Sequence, residues 1–116
     1  MNKIYHLSSC KTCAGIIGQL ELTKKKFIFQ DIKTEKISAL HLEEMKKLSG
    51  SYESLFSRIA LKYKTLDPKP STEAEYKNLI LNEYTFLKRP VILTAGQIFV
   101  GNSKANVAAA EKFLSR

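Results

Sequence analysis

Lys3-Ile4-Tyr5-His6-Leu7-Ser8-Ser9-Cys10-Lys11-Thr12-Cys13 opens the chain, and its reading decides how everything after it is organised. Ile4 to Leu7 is a short, apolar, β-prone run, Ser8 and Ser9 are helix-capping types, and apolar residues recur at helical spacing from Lys11 to Thr23. Strand, capping residues, helix: that order puts Cys10 at the hinge between a strand end and a helix start. Unpaired N–H groups and the positive end of the helix dipole meet there, and both favour a thiolate over a thiol. The two cysteines of the chain both lie in this C-x-x-C motif. Two thiols cannot close a four-ligand zinc cage, and the scattered His6 and His41 add no recognised spacing, so no metal site is expected.

Working outward, Phe27 to Ile32 reads as a second strand, and a right-handed crossover through the first helix would lay it parallel to the first strand. Ser38 caps a second helix to about Leu48, with Leu40, Met45 and Leu48 facing inward, His41 solvated and Gly50 ending it. From Ser51 to Leu66 the pattern is irregular, with Leu55, Phe56, Ile59 and Leu61 expected to be buried. Pro68 and Pro70 break the chain. Ser71 or Thr72 then caps a helix to about Tyr84 that turns Tyr76, Leu79, Ile80 and Tyr84 inward. Val91 to Thr94, the Ala95-Gly96 turn and Gln97 to Val100 read as a β-hairpin. A closing helix from Lys104 to Leu114 is capped by Ser103. The order is βαβ, a helical insert, then ββα, which is an α/β fold with a mixed four-stranded sheet.

The 116 residues suit a single domain spanning 1–116, and 44% hydrophobic content with 5 Gly and 3 Pro argues against both disorder and a disulfide-dense scaffold. No apolar run approaches membrane-spanning length, and Met1-Asn2-Lys3 leads into a strand without a signal-peptide core. The expectation is a cytoplasmic protein, in which a C-x-x-C beside a βα unit reads as redox chemistry. The formal charge of +8, from 19 Lys+Arg against 11 Asp+Glu, is spread along the chain. Lys24-Lys25-Lys26 and Lys46-Lys47 read as solvated faces, and aromatic RNA-binding signatures are missing, so nucleic acid is not an expected partner. The field suits small anions such as oxyanions or the carboxylates of glutathione.

The element order, the C-x-x-C at the first strand–helix junction and a proline just before the third strand resemble the thioredoxin fold. More narrowly, the chain is similar to the ArsC/Spx family, the glutaredoxin-like arsenate reductases and their relatives. Three patches carry the likeness: Ile4-Tyr5-His6 with Cys10 four residues on, Phe56-Ser57-Arg58, and Leu87-Lys88-Arg89-Pro90-Val91-Ile92. The resemblance implies that Cys10 attacks the arsenic of arsenate and is regenerated through glutathione and a glutaredoxin or thioredoxin, with no cofactor held. It implies further that His6 helps hold the thiolate, that Arg58 and Arg89 bind the oxyanion, and that Pro90 is cis and faces the cysteine. Three positions depart from the arsenate reductases. Asn102 aligns with their third oxyanion arginine, Ala14 with an arginine shortly after the nucleophile, and Cys13 with a serine. The Spx branch, whose members are regulators that bind RNA polymerase, does have C-x-x-C.

An unperturbed thiol, with a pKa of about 8.5, is only a few per cent ionised at neutral pH. Lowering that value by about 1.5 units would make Cys10 mostly thiolate near pH 7, which requires roughly 2 kcal/mol of differential stabilisation. Helix-terminal amides and one nearby cation can supply it. Cys13, one helical turn further on, is placed to resolve a mixed disulfide at Cys10. Planar guanidinium groups at Arg58 and Arg89 suit a tetrahedral oxyanion, and Asn102 offers a donor without charge. The expected function is therefore thiol-dependent reduction of arsenate or a related oxyanion or disulfide by a monomer. The alternatives are an Spx-like redox switch on RNA polymerase and a non-catalytic glutathione-binding module.

Overall fold

A computed structural model describes residues 2–115; Met1 and Arg116, the end residues of the expected domain, lie outside the described residues. By its internal contacts the chain divides into two compact units, residues up to 35 together with those from 89 onward, and residues 36–88.

The first unit contains β1 (Lys3–His6), α1 (Lys11–Gln19), β2 (Ile28–Asp31), β3 (Val91–Thr94), β4 (Gln97–Val100) and α4 (Lys104–Leu114). Its sheet has the order β2-β1-β3-β4, with β1 and β2 parallel and the other pairs antiparallel. The expected mixed sheet and parallel first pair are both present. Ile4 and Ile92 are register partners and form one buried cluster with Ile16, Leu20 and Leu22 and with Val107 and Ala110 of α4. Burying each large aliphatic side chain contributes about 1.5–3 kcal/mol, so this cluster fixes α1 and with it the start of that helix.

Helix α1 is shorter than the apolar spacing suggests. It stops at Gln19, Glu21 takes a left-handed conformation (φ 53°), and Leu22–Lys24 form a separate 3-10 turn. Gly15 and Gly18 reduce helix propensity in its second half, and a left-handed residue just past the end is an ordinary way to stop. In the hairpin, Ala95 (φ 47°) and Gly96 (φ 76°) both lie in the left-handed region, as a type I′ turn requires. The Ser103 hydroxyl accepts from the Asn106 amide at 3.1 Å and caps α4.

The second unit is the helical insert, with α2 (Ala39–Ser49) and α3 (Glu73–Asn82) among 3-10 turns. Ser38 caps α2 as expected, and Gly50 (φ 102°) ends it. His41, in the helix and half-exposed, also serves as a cap: its Nδ1 accepts from the Ser38 amide at 3.1 Å, completing a capping box. The inward face of α2 matches the expectation at Met45 only. Leu42 and Met45 are buried, whereas Leu40 is 77% and Leu48 43% exposed. At about 100° per residue Leu40 lies roughly 200° from Leu42, on the far side of the helix.

Thr72, not Ser71, caps α3, through a second capping box with Glu75. The helix ends at Asn82, and Tyr84 begins a 3-10 turn, half-buried like Leu79. Leu55 and Phe56 are buried as expected, but Ile59 and Leu61 are 85% and 80% exposed. The space is filled instead by rings: Phe56 packs against Tyr76, Phe86 and Tyr63 at centroid distances of 5.1, 5.2 and 5.9 Å. Among the described residues no helix is long and apolar enough to cross a membrane.

Candidate active site

The first unit brings Cys10, Cys13, Arg89 and Pro90 to one end of its sheet. β1 ends at His6, the Cys10 amide donates to the Leu7 carbonyl at 2.9 Å, and the tight turn so closed carries the chain through Ser8 and Ser9 into α1. Cys10 is the N-cap of α1, with extended backbone angles (φ −92°, ψ 114°). Its sulfur takes the place of the usual capping oxygen and accepts from the Cys13 amide at 3.5 Å. Both cysteines are free thiols; Cys10 is partly exposed and Cys13 is fully buried.

That difference in setting separates the two sulfurs electrically. Partial burial pushes the Cys10 thiol up, but the Cys13 amide and side chain, the Thr12 amide and the Arg89 charge together outweigh it and leave Cys10 below the ordinary cysteine value. Burial pushes Cys13 the other way, to about 11, reinforced by the neighbouring Cys10 and only partly offset by the Leu7 backbone and Arg89. One sulfur is disposed to be a nucleophile and the other to keep its proton, an arrangement suited to attack followed by resolution.

Arg89 lies two residues before β3, half-buried, and the Arg89–Pro90 peptide is cis with Pro90 buried. The Pro90 carbonyl accepts from the Gly101 amide at 2.8 Å. Gly101 has φ 90°, a conformation that glycine adopts without strain, and its own carbonyl accepts from the Asn106 side chain at 2.9 Å. Asn102 follows at once, exposed, on the segment tied to Pro90.

His6 engages β2. Its ring meets Phe29 edge-on at 5.7 Å, and its charge acts on Asp31, its partner in the β1–β2 register. Asp31 accepts from the Ser8 hydroxyl and, at 3.2 Å, from the Lys33 amide. The Ser8–Asp31 bond was not foreseeable, because nothing in the sequence relates two polar residues 23 positions apart. Arg58 belongs to the second unit. There its guanidinium pairs with Glu53 at 2.7 Å, donates to the Tyr76 hydroxyl at 2.8 Å and lies over the Tyr76 ring at 5.5 Å. The Glu53 carboxylate is the main reason that the Arg58 pKa is raised. Among the described residues no three His, Cys, Asp or Glu side chains are grouped to hold a metal ion.

No protein-family model matches the chain, and no curated protein does. Solved structures match over nearly its full length. The YffB protein superposes with a TM-score of 0.80 at 26% identity, covering 95% of this chain and 98% of its own. An arsenate reductase (ArsC) related protein from Brucella melitensis gives 0.70 at 26% identity, covering 93% and 92%. The arsenate reductase from Vibrio cholerae gives 0.78 at 16% identity, covering 93% and 95%.

Proposed function

We propose that this chain, which has the thioredoxin-like fold of the arsenate reductase (ArsC) family, is a thiol-dependent oxidoreductase that reduces arsenate or a related oxyanion or disulfide through the Cys10 thiolate. The observation that carries the proposal is the Cys10 sulfur itself, seated as the cap of α1 with the Arg89 charge acting on it. In the first step the Cys10 thiolate bonds to the central atom of the oxyanion and water leaves. In the second, a second thiolate attacks the Cys10 sulfur, a disulfide forms, and the electron pair of the sulfur–arsenic bond stays on arsenic, taking As(V) to As(III). Cys13 or glutathione provides that second thiolate, and a glutaredoxin or thioredoxin returns the disulfide to thiols.

Arg89 holds the negative oxygens during attack, and Pro90 shapes the wall beside the sulfur. Asn102 adds a neutral donor from the segment that is bonded to Pro90. Arg58, the second guanidinium that the family resemblance implies for the oxyanion, is held in its own unit by an exposed pair with Glu53, and a pair of this kind contributes about 0–1 kcal/mol. His6 supports the thiolate at one remove, through its place at the end of β1. On this reading the protein works as a monomer in the cytoplasm, where reduced glutathione keeps both sulfurs in the thiol state.

The test is mass spectrometry of the chain and of Cys10→Ser after arsenate or peroxide, with and without glutathione. The expected products are an intramolecular Cys10–Cys13 bond or a glutathione adduct on Cys10, and arsenite released by the parent alone. Arsenite formed by Cys10→Ser at the parental rate would refute the proposal. The two neighbouring thiols also suit a second reading, a redox switch on RNA polymerase. Oxidation to the disulfide without any turnover, together with capture of polymerase subunits by the oxidised form only, would select it.

A further inference from the structure

We propose that Asp31 is a positioning residue for the nucleophile: its carboxylate holds the Ser8 hydroxyl and so fixes the Leu7–Cys10 turn that aims the Cys10 sulfur at the amides of α1. The inference rests on Cys10 being the reactive thiol, and it names a residue that takes no part in the chemistry.

Asp31 is the last residue of β2 and the register partner of His6, so it stands beside the point where β1 gives way to the turn. It is itself firmly held. The Ile32 amide donates to the His6 carbonyl at 2.9 Å, keeping the strands paired to their ends, and the Glu35 amide donates to the Asp31 carbonyl at 2.8 Å. Of its carboxylate oxygens, Oδ1 accepts from the Lys33 amide and Oδ2 from Ser8. Ser8 and Ser9 are both exposed, and one backbone–backbone bond, from the Cys10 amide to the Leu7 carbonyl, closes the turn, so Asp31 holds it through Ser8, whose hydroxyl and backbone amide both act on the carboxylate. A residue two positions before the nucleophile is thereby anchored to the end of a different strand. The Ser8 hydroxyl, above all, holds the Asp31 carboxyl below the usual carboxylate range, so it stays ionised throughout the range in which a cysteine titrates.

A carboxylate that acted on Cys10 through its charge would disfavour the thiolate, whereas one that acts through its hold on Ser8 favours it. Mechanical and electrostatic roles therefore predict opposite signs. Removing the tether disorders the turn and weakens the amide bonds that favour the thiolate. Removing only the charge does the reverse. The charged and titratable groups acting on the two residues, Arg89 and Cys13 on Cys10 and His6 on Asp31, are unchanged in every variant below.

The experiment is the pH dependence of Cys10 alkylation by iodoacetamide, with thiolate ultraviolet absorbance alongside, in the full chain and in Ser8→Ala, Asp31→Ala, Asp31→Asn and the Ser8→Ala/Asp31→Ala double variant. Ser8→Ala and Asp31→Ala are each expected to raise the Cys10 pKa by about 0.5, slowing alkylation below that pKa about threefold. The double variant should be no slower than Asp31→Ala alone, since losing the carboxylate already removes every bond that it makes to Ser8. Asp31→Asn retains an oxygen that can accept from Ser8 and loses the charge, so its alkylation should equal or exceed the parent's. An unchanged titration in Ser8→Ala, a lowered pKa in Asp31→Ala, or additive effects in the double variant would each overturn the proposal. No substrate is needed, so the outcome is independent of whether arsenate is turned over.

Discussion

Replacing Cys13 by serine should remove a specific loss of stability at alkaline pH. Cys13 is fully buried and its pKa is pushed from 9.0 to about 11, burial being the main cause. The unfolded chain then gives up this proton before the folded one does. The contribution is therefore fully present below about pH 9 and is lost as pH rises toward 11. The interval from 9.0 to about 11 corresponds to about 2.7 kcal/mol in full, of which about 1.4 kcal/mol disappears between pH 8 and pH 10. Serine does not titrate there. Denaturant unfolding of the parent and of Cys13→Ser across that range should show the stability difference shifting by about 1.4 kcal/mol in favour of the variant. Burying a hydroxyl in the thiol's place adds an offset of about 1–3 kcal/mol that does not vary with pH, and Cys10 is present in both chains. A difference that stays flat from pH 8 to pH 10 would refute the separation of the two sulfurs on which attack and resolution are built.

Cys10→Ser should abolish thiol adducts in mass spectrometry while its melting transition shifts little, because serine is itself a preferred N-cap and exchanges one acceptor for another within about 1 kcal/mol. Since Cys10 lies below the ordinary cysteine value, the parent should also lose a small stabilising term as pH falls through the Cys10 titration, and Cys10→Ser should not. Arg89→Met should raise the Cys10 titration in alkylation assays and weaken oxyanion binding, read by calorimetry, by about tenfold to a hundredfold, the effect of losing a charge-assisted hydrogen bond. Gly101→Ala forces a side chain onto φ 90° and should cost about 1–2 kcal/mol in denaturant unfolding, with Gly101→Asn costing less.

The elements that were legible in the sequence are those set by neighbours along the chain. The apolar spacing after Lys11 located the helix start, although Cys10 caps it and not Ser8 or Ser9; Ser38 and Ser103 marked caps, and Ala95-Gly96 marked the hairpin turn. The misreadings concern which side of an element faces what. Leu40 and Leu48 are as apolar as Leu42, and only the partners that the helix meets decide among them. Ile59 and Leu61 lost their expected place to three aromatic rings that arrive from Tyr63, Tyr76 and Phe86. In the site, the placement of Cys10 and Cys13 followed from local order, and that of Arg89 from the family resemblance at Pro90. What Arg58 does in its own unit and what Asp31 does for Ser8 depend on bonds spanning 5 to 23 positions, for which one sequence carries no signal.

Making the cap of α1 out of the same atom that reacts ties the state of the sulfur to the integrity of the helix. Once Cys10 is joined to arsenic, to glutathione or to Cys13, its sulfur no longer offers an anionic lone pair to the Cys13 amide, and the first turn of α1 is left uncapped. Fraying at residues 11–14 would then accompany the arsenic and glutathione adducts, where no covalent link closes the turn, and reverse when the thiolate is restored. Solvent exchange at the Cys13 amide becomes a gauge of redox state that can be read without labelling either cysteine.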